Sequence, residues 1–256
     1  MTATVNLSNV SVAFSGRTVL HEVSASFSSG EITVLVGRSG SGKTTLLRTI
    51  NRLNEEFPGC RTEGQIRIDF GAGPRDVYSS RHGGFGTGDA LPLTELRRKV
   101  GMLFQTPNLF PVSVYNNLAI PLKLVAKMPA KQIPERVEQG LQAVGLWREL
   151  DGRLNLPAEH LSGGQQQRLC LARLLCLEPA VLLLDEPTAS LDVHAAREIE
   201  ELLGTLAGRY AIIMVSHSLR QARGMADTLL VCEDGRITRR IDSRAAIAEQ
   251  ELADLL

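Results

Sequence analysis

Gly37-Arg38-Ser39-Gly40-Ser41-Gly42-Lys43-Thr44 is the stretch of sequence that decides the fold. It lies between an apolar run at residues 32–36 and a segment that carries apolar residues at helical spacing. The pattern therefore predicts a strand, a glycine-rich turn and a helix. Glycines at this spacing let successive backbone N–H groups point inward, and the following helix N-terminus adds a partial positive charge. We interpret the stretch as a phosphate cradle rather than an ordinary glycine-rich turn.

The cradle predicts a nucleotide site that also binds Mg²⁺; the family resemblance described below implies that the nucleotide is ATP. We expect Lys43 to reach the β- and γ-phosphates and the Thr44 hydroxyl to bind Mg²⁺. The candidate ATP-binding residues are Gly37, Arg38, Ser39, Gly40, Ser41, Gly42, Lys43, Thr44 and Thr45.

A second apolar run, residues 181–184, is followed by two carboxylates, Asp185 and Glu186. Open α/β sheets bind their ligands at the carboxyl ends of the strands, so these acids are expected at the rim of the site. Asp185 suits a Mg²⁺ site, directly or through water, and Glu186 can polarise a water for attack on the γ-phosphate. The alternative is a pair of acids that merely ends a strand.

Composition limits the class of protein. The chain has 256 residues, of which 43% are hydrophobic and 22% are charged, which is ordinary for a globular protein. Lys+Arg and Asp+Glu are equal at 28 each. Because the chain has no overall excess of basic residues, we expect no nucleic-acid partner. The longest apolar runs are too short to span a bilayer, so we expect no direct membrane insertion. The four cysteines lack metal-binding spacing and are expected to be reduced thiols.

The first hundred residues are dominated by strand patterns. Residues 5–27 alternate as in antiparallel strands, residues 64–70 predict another strand, and residues 99–104 predict a strand that ends at Gln105. Residues 71–92 contain six glycines and few large apolar residues, so we expect an exposed loop there. Phe14 could stack on an adenine, although a strand phenylalanine is more commonly part of a core.

Helical patterns follow, and then strands alternate with helices. We predict a helical subdomain at residues 106–177, inserted in an α/β core formed by residues 1–105 and 178–256, all within one domain. Alternation implies a mostly parallel sheet with right-handed crossovers. The later elements are predicted as helices at 193–206 and 219–225, strands at 210–215 and 228–232, a turn at 234–235 and a C-terminal helix from Ser243.

Leu161-Ser162-Gly163-Gly164-Gln165 begins a helix with an N-cap serine and two glycines, both of which we expect to expose the backbone. By itself the stretch indicates an ordinary cap or a second anion-binding helix terminus. Together with the cradle and the run VLLLDE, it closely resembles the signature of the ATP-binding-cassette (ABC) ATPases. The resemblance covers about residues 5–240. It implies an α/β P-loop core with a mostly parallel sheet, an N-terminal antiparallel β subdomain and an inserted α-helical subdomain.

The resemblance also implies roles for further residues. Phe14 looks like the adenine-stacking aromatic of the family, and His217 looks like its switch histidine. Gln105 looks like its Q-loop glutamine, which would also bind Mg²⁺. A histidine at a helix start is more often a plain surface residue. Ser190, Leu191 and Asp192 resemble the family's D-loop. The catalytic set implied is Lys43, Gln105, Glu186 and His217.

A narrower resemblance points to the solute. The stretches LNEEFPG, ELRRKVGMLFQTPNLFPVSVYNN and LSGGQQQRLCLAR are similar to the ATPase subunits of bacterial phosphate importers. The glycine-rich stretch at 71–92 and the run AIPL at 119–122 depart from that subfamily. Another solute, such as a different anion or an amino acid, is the main alternative; a soluble ABC protein of DNA repair or translation and a nucleotide kinase are the others.

The family resemblance implies the partners. Two cassettes pair head to tail, so that each ATP lies between one cradle and the signature of the other subunit. Both motif sets are present in one chain, which favours a homodimer. The pair would sit peripherally on the cytoplasmic face of the cell membrane, with transmembrane permease subunits and a solute-binding protein. Residues 106–117 are the expected docking surface for the permease, with Phe110 and Tyr115 expected to be exposed there.

Overall fold

The computed structural model describes residues 3–78 and 90–242. The strands of these residues are β1 Thr4–Phe14, β2 Arg17–Ser28, β3 Ile32–Val36, β4 Cys60–Asp69, β5 Pro74–Asp76, β6 Val100–Leu103, β7 Val181–Asp185, β8 Ala211–Val215, β9 Thr228–Glu233 and β10 Arg236–Ile241. The α-helices are α1 Lys43–Ile50, α2 Leu93–Lys99, α3 Val114–Leu124, α4 Ile133–Ala143, α5 Leu146–Leu150, α6 Gly163–Cys176, α7 Val193–Ala207 and α8 Leu219–Met225. Short 3-10 helices lie at Leu53–Glu56, Ala130–Gln132 and Ala158–His160.

A six-stranded sheet of order β10-β9-β3-β8-β7-β6 forms the centre of the molecule. Its strands run parallel except β10, which pairs antiparallel with β9 at the edge. Every residue of β3, β7 and β8 is buried. Parallel sheets are covered on both faces, which explains why these strands are continuous apolar runs rather than alternating ones. Their carboxyl ends meet at one edge, where the candidate site lies.

A four-stranded antiparallel sheet of order β2-β1-β4-β5 packs on one face of the parallel sheet. Val5, Phe27 and Ile66 of this sheet share a hydrophobic core with Leu35 of β3 and Leu183 of β7. The other face is covered by helices, and Leu182 and Leu184 of β7 pack there among residues of α3 to α6. Alternate residues of one strand therefore serve two separate cores, as the period of two in a strand requires.

The predicted fold class is confirmed: an α/β core with a mostly parallel sheet, an antiparallel β sheet and a helical segment. Helices α3 to α6 lie within residues 106–177, and Ser162 is the N-cap of α6 as expected. Each of the four cysteines is a free thiol. Within residues 3–78 and 90–242, no helix is both long enough and apolar enough to cross a membrane.

The prediction of an exposed loop at residues 71–92 is wrong for its described ends. Residues 74–76 form β5, and Val77, Tyr78 and Leu91 are buried in the core below the antiparallel sheet. The Leu91 N–H donates to the Asp76 carbonyl oxygen at 3.2 Å. These three large apolar residues stand near the two ends of the stretch, and each end is held by them. The prediction for residues 79–89 lies outside the described residues.

Two other element boundaries differ from expectation, and one strand was not predicted. Lys99 ends α2 instead of beginning a strand, because α2 has only seven residues and is too short to show a helical period. Strand β4 begins at Cys60 rather than residue 64, since its pairing with β1 continues to Phe14. Strand β10 is a mostly exposed edge strand with three arginines, so its sequence carries no alternation of apolar residues. The helix predicted from Ser243 lies outside the described residues.

Candidate nucleotide site and signature surface

The loop between β3 and α1 forms the cradle expected from the sequence. Gly42 precedes α1 in the left-handed conformation, with φ 95°, and none of the described side chains caps this helix. Its first N–H groups are therefore available to an anion. Gly37 has φ 144°, and a Cβ there would lie 2.1 Å from the Cys232 carbonyl oxygen, so the loop can approach β9 only with glycine at this position.

Lys43 is held inside this loop. Its Nζ donates hydrogen bonds to the carbonyl oxygens of Gly37, at 2.7 Å, and Arg38, at 2.8 Å, and the residue is only 4% exposed. Burial lowers the pKa of the Lys43 ammonium, while nearby acidic side chains oppose the shift. A cation fixed by two backbone carbonyls is pre-arranged for a polyanion that enters the cradle.

The end of β7 meets the start of α1. The Thr44 hydroxyl donates to Asp185 Oδ1 at 2.8 Å, and the Arg48 guanidinium lies 3.9 Å from Asp185 Oδ2. Asp185 is 7% exposed. The predicted pair of Thr44 and Asp185 is thus brought together across 141 residues of sequence.

Glu186 and His217 also meet, although they follow different strands. His217 Nε2 lies 2.8 Å from Glu186 Oε1. Glu186 adopts a left-handed backbone with φ 48°, and its N–H donates to the Val215 carbonyl oxygen at 3.2 Å. A non-glycine residue in this region is strained, and such strain is common at functional sites, where the surrounding structure holds the side chain in one direction.

These groups line one pocket at the carboxyl edge of the parallel sheet. Its lining residues are Val19, Ser39, Gly40, Gly42, Lys43, Thr44, Thr45, Glu186 and His217. The pocket combines backbone N–H groups, an ammonium, two threonine hydroxyls and a carboxylate–imidazole pair. This is the composition needed to bind a phosphate chain and to orient a water beside it.

The oxygen ligands near Thr44 fit Mg²⁺. Within the described residues, no three His, Cys, Asp or Glu side chains are grouped to hold a metal by themselves. Mg²⁺ commonly takes only one or two protein oxygens and completes its shell with waters and substrate phosphates. The hydroxyl of Thr44 and the carboxylate of Asp185 supply such a pair.

The structure does not bring Gln105 into this pocket. Gln105 follows the end of β6 by two residues, its side chain is exposed, and it is absent from the pocket lining. Its predicted contact with Mg²⁺ and nucleotide therefore requires a movement of the loop, and it remains a prediction.

Phe14 also lies outside the pocket lining. It is half-buried at the end of β1, and its ring meets the Phe57 ring edge to face with centroids 6.3 Å apart. Phe57 is 47% exposed, and the Arg48 guanidinium lies 5.6 Å from its ring centroid. The adenine-stacking role of Phe14 stays a prediction, and Phe57 is an aromatic neighbour that sequence reasoning missed.

The signature residues form a surface separate from the pocket. Ser162 Oγ accepts from the Gln165 N–H at 3.3 Å, and the Ser162 N–H donates to Gln165 Oε1 at 3.1 Å, so the capping box of α6 is complete. Leu161 is buried, whereas Ser162 and Gly163 are exposed. None of these residues lines the cradle pocket.

Gly164 serves packing rather than backbone exposure, contrary to expectation. A Cβ on Gly164 would lie 2.7 Å from the Ala195 Cβ of α7, and one on Gly163 would lie 3.7 Å from Leu191 Cδ2. The signature and the D-loop region are therefore packed together. Asp192 caps α7 by accepting from the N–H groups of His194 and Ala195, and the Ala195 bond foremost lowers the pKa of Asp192. Ser190 is exposed beside them.

The segment at residues 106–117 is a fixed loop. The buried Asn117 side chain donates to three backbone carbonyls of the loop and accepts from the Phe110 N–H. Phe110 is 40% exposed, and the Arg173 guanidinium lies 4.7 Å from its ring centroid. Tyr115, expected to be exposed, is instead half-buried against the helical core, because it belongs to the first turn of α3.

Two further site residues gave no usable signal in the sequence. Val19 lines the pocket from β2, where it looks like any apolar strand residue. Gln167 of α6 is 1% exposed and donates to backbone carbonyls on two loops at the site. Only the three-dimensional contacts distinguish it from Gln165 and Gln166, which stand beside it.

Comparison with known proteins agrees with this geometry. Residues 20–189 match the family described as ABC transporter. The chain is 39% identical over 227 residues to the "Phosphate import ATP-binding protein PstB 2" of Lactobacillus acidophilus, covering 89% of this chain and 85% of that protein. It is 42% identical over 229 residues to the protein of the same name from Mycobacterium tuberculosis, covering 90% of this chain and 78% of that protein.

A solved structure is similar over nearly its full length. It is described as the dimeric structure of a post-hydrolysis state of the ATP-binding cassette MJ0796 bound to ADP and Pi. The TM-score is 0.71 at 28% identity, and the alignment covers 93% of this chain and 98% of that one. The chain therefore belongs to the ABC transporter family, as an ATP-binding subunit that hydrolyses ATP.

Proposed function

We propose that two copies of this chain pair head to tail, hydrolyse ATP at two composite sites, and thereby drive phosphate uptake through a separate permease. The observation that carries the pairing is the separation of two anion-binding features. Lys43, Thr44, Glu186 and His217 share one pocket, whereas the exposed signature at Ser162 lies on another surface. A second copy can bring its signature to the open side of the pocket, and the similar cassette MJ0796 is described as a dimer.

The roles within each site follow from the contacts. The N-terminus of α1 and Lys43 bind the phosphates, with the candidate residues Gly37 to Thr45 around them. Thr44 and Asp185 would hold Mg²⁺, which would screen the phosphate charge when bound. Glu186 accepts a proton from the attacking water, and His217 fixes the Glu186 carboxylate and reaches the γ-phosphate. Gln105 joins this site when its loop closes.

The proposal for the solute is supported by the relatives. Proteins about 40% identical over most of this chain carry the name of phosphate import ATP-binding proteins. The three stretches that resemble that subfamily include the signature helix and residues 95–117. No residue of an ATPase subunit touches the solute, so a test must measure transport. Other anions and amino acids are the competing solutes.

Uptake in the source cells tests this assignment. Glu186→Gln introduced at the chromosomal locus should abolish high-affinity uptake of radioactive phosphate, while uptake of sulfate and of amino acids should remain. A strain with Lys131→Ala, an exposed lysine of the helical segment, is the matched control and should take up phosphate normally. If the variant instead lost uptake of another solute and kept phosphate uptake, that other solute would be the transported one and the assignment to phosphate would be wrong.

We place the permease contact at residues 106–117, on the cytoplasmic face of the membrane. Phe110 is exposed there and is backed by Arg173, while Asn117 fixes the loop in one shape. Phe110→Asp should leave ATP hydrolysis by the purified chain unchanged but prevent copurification with the permease. Leu124→Asp, at the other end of α3 and 68% exposed, should affect neither property. Equal loss of both activities in Phe110→Asp would indicate a structural role for this ring.

A further inference from the structure

The side chain of Gln167 joins three functional segments. Its Nε2 donates to the Phe104 carbonyl oxygen at 3.0 Å and to the Pro187 carbonyl oxygen at 3.1 Å. Phe104 immediately precedes Gln105, and Pro187 immediately follows Glu186. Gln167 itself belongs to α6, the helix that begins at the signature.

Both hydrogens of the amide are used in this arrangement. A primary amide carries two N–H donors, and here each one binds a carbonyl on a different loop. Gln167 is 1% exposed, its bond to the Pro187 carbonyl is buried and its bond to the Phe104 carbonyl is part-buried. Leaving a buried acceptor unpaired destabilises the structure. The two loops are therefore held at a fixed distance from α6.

The other end of the amide is unsatisfied. Gln167 Oε1 is buried and has no hydrogen-bond partner among the described residues. Most buried polar atoms are paired, and an exception calls for an explanation. A small rearrangement that offered a donor to this oxygen would be favourable, so the contact is suited to a segment that changes position during a reaction cycle.

We infer that Gln167 is a positioning residue: it sets Gln105 and Glu186 of this chain relative to the signature helix, which serves the partner's ATP. The inference rests on the proposed composite site. The signature begins about one turn before Gln167, and Gly164 packs without space against Ala195. A displacement of the signature therefore carries Gln167 with it, and through two hydrogen bonds it moves both loops of the other site.

Gln167→Met tests the hydrogen bonds while nearly preserving the size of the side chain. The kcat for ATP hydrolysis should fall at least tenfold, because Glu186 and Gln105 lose their support. KM for ATP should change less than threefold, because the phosphate contacts come from the cradle. Gln142→Met, on the exposed side of α4, is the matched control and should change neither value. An unchanged kcat, or a loss entirely in KM, would overturn the inference.

Gln167→Glu separates positioning from general damage to the fold. A protonated carboxylic acid can donate one hydrogen bond to a carbonyl, and an ionised carboxylate can donate none. Burial favours the protonated form, increasingly so as the pH falls. The kcat of this variant relative to the parent should therefore rise at least threefold between pH 8 and pH 6. The same ratio for Gln167→Met should stay flat; a flat ratio for both would contradict the role of the donors.

A double-variant cycle tests the connection to the signature. Ser162→Ala and Gln167→Met act through one path if the inference holds, so their combined loss of kcat should be at least threefold smaller than the product of the single losses. A combined loss equal to the product would overturn the coupling. Glu186→Gln is measured in parallel. If it abolishes hydrolysis while Gln167→Met does not change kcat, the inference fails and the proposed catalytic site stands.

Discussion

Two helices of this protein offer their N-termini at functional surfaces, and they are prepared in opposite ways. Helix α1 has no side-chain cap among the described residues, and the buried ammonium of Lys43 stands beside its open N–H groups. Helix α6 has a complete capping box made by its own Ser162 and Gln165, and its signature residues Ser162 and Gly163 are exposed. The first N–H groups of α1 have no side-chain acceptor among the described residues and can bind an anion, whereas two N–H groups at the start of α6 already have one.

This difference indicates that the termini of α1 and α6 have different roles in ATP binding. An uncapped terminus with a fixed cation can bind a triphosphate by itself. A capped terminus gains less from an anion, since two of its N–H donors, those of Ser162 and Gln165, are already paired. The bond to an N-cap side chain is typically worth about 1 kcal/mol. We therefore expect ATP to bind first at α1 and the signature to contribute only when a second copy brings it there. The predictions below test each terminus separately.

Lys43→Ala should have the largest effect. Without the ammonium, the cradle loses its strongest contact to the β- and γ-phosphates, and hydrolysis should fall to about one hundredth or less. ATP binding should weaken as well. Steady-state ATPase assays and nucleotide titration check both, with Lys131→Ala as the surface control. Near-normal turnover would contradict the assignment of the cradle as the phosphate-binding site.

Phe14→Ala tests the far end of the same site. If the ring stacks on adenine, ATP affinity should weaken by about 1–3 kcal/mol. Phe57→Ala removes only the edge-on neighbour and should weaken binding less. Titration with a fluorescent ATP analogue and a thermal melt distinguish binding from folding. Unchanged affinity in a folded Phe14→Ala variant would return this ring to a purely structural role.

Gly164→Ala breaks the signature surface without touching the pocket. The added Cβ would lie 2.7 Å from the Ala195 Cβ, so α6 must shift away from α7. A shift of this kind should lower hydrolysis about tenfold or more while leaving ATP binding to the single chain intact. Gly204→Ala is the matched control, because its Cβ would meet nothing within 4 Å and α7 should gain slight stability. Equal losses in binding and turnover would show that the two surfaces are not independent.

Replacing residues 79–89 by a six-residue Gly-Ser link should have the smallest effect on both surfaces. The ends of this segment are already tied, since the Leu91 N–H donates to the Asp76 carbonyl oxygen. A changed loop length then costs less than about 1 kcal/mol. Removing all of residues 71–92 should destabilise the protein far more, because β5 and the buried side chains of Val77, Tyr78 and Leu91 would go with it. Thermal melts of the two deletions compare them directly.

Much of this architecture follows from the sequence, for a clear reason. The cradle, the apolar strand before Asp185 and the N-cap Ser162 are local patterns, because backbone geometry at each depends on residues a few positions apart. The edge strand β10 and the short helix α2 had no such pattern and were missed. Gly164 was misread because its need for a missing Cβ comes from Ala195 on another helix. The bonds of Gln167 to Phe104 and Pro187 were equally invisible, since they join distant segments.

The contacts of the site were also predicted from the sequence only in part. Lys43 and Thr44 were predicted from their spacing, and the structure brings Thr44 to Asp185 and Glu186 to His217. Gln105 and Phe14 do not line the pocket. The family resemblance, in contrast, implies that both residues contact the nucleotide. In the proposed composite site we expect their final positions to be set by bound nucleotide and by a second copy, and no single segment of the chain encodes these contacts.

The composite site is the central claim, and the association state of Glu186→Gln tests it most directly. Losing the group that activates water should slow hydrolysis at least about a hundredfold, or about 2.7 kcal/mol of barrier, while Mg-ATP still binds. Uncleaved ATP between Lys43 of one copy and Ser162 of the other would then stabilise the dimer by mass action. Light scattering should show monomers without nucleotide, dimers with Mg-ATP, and monomers again when Ser162→Arg is added. A variant that stays monomeric at saturating Mg-ATP, or that dimerises equally well with Ser162→Arg, would contradict the account.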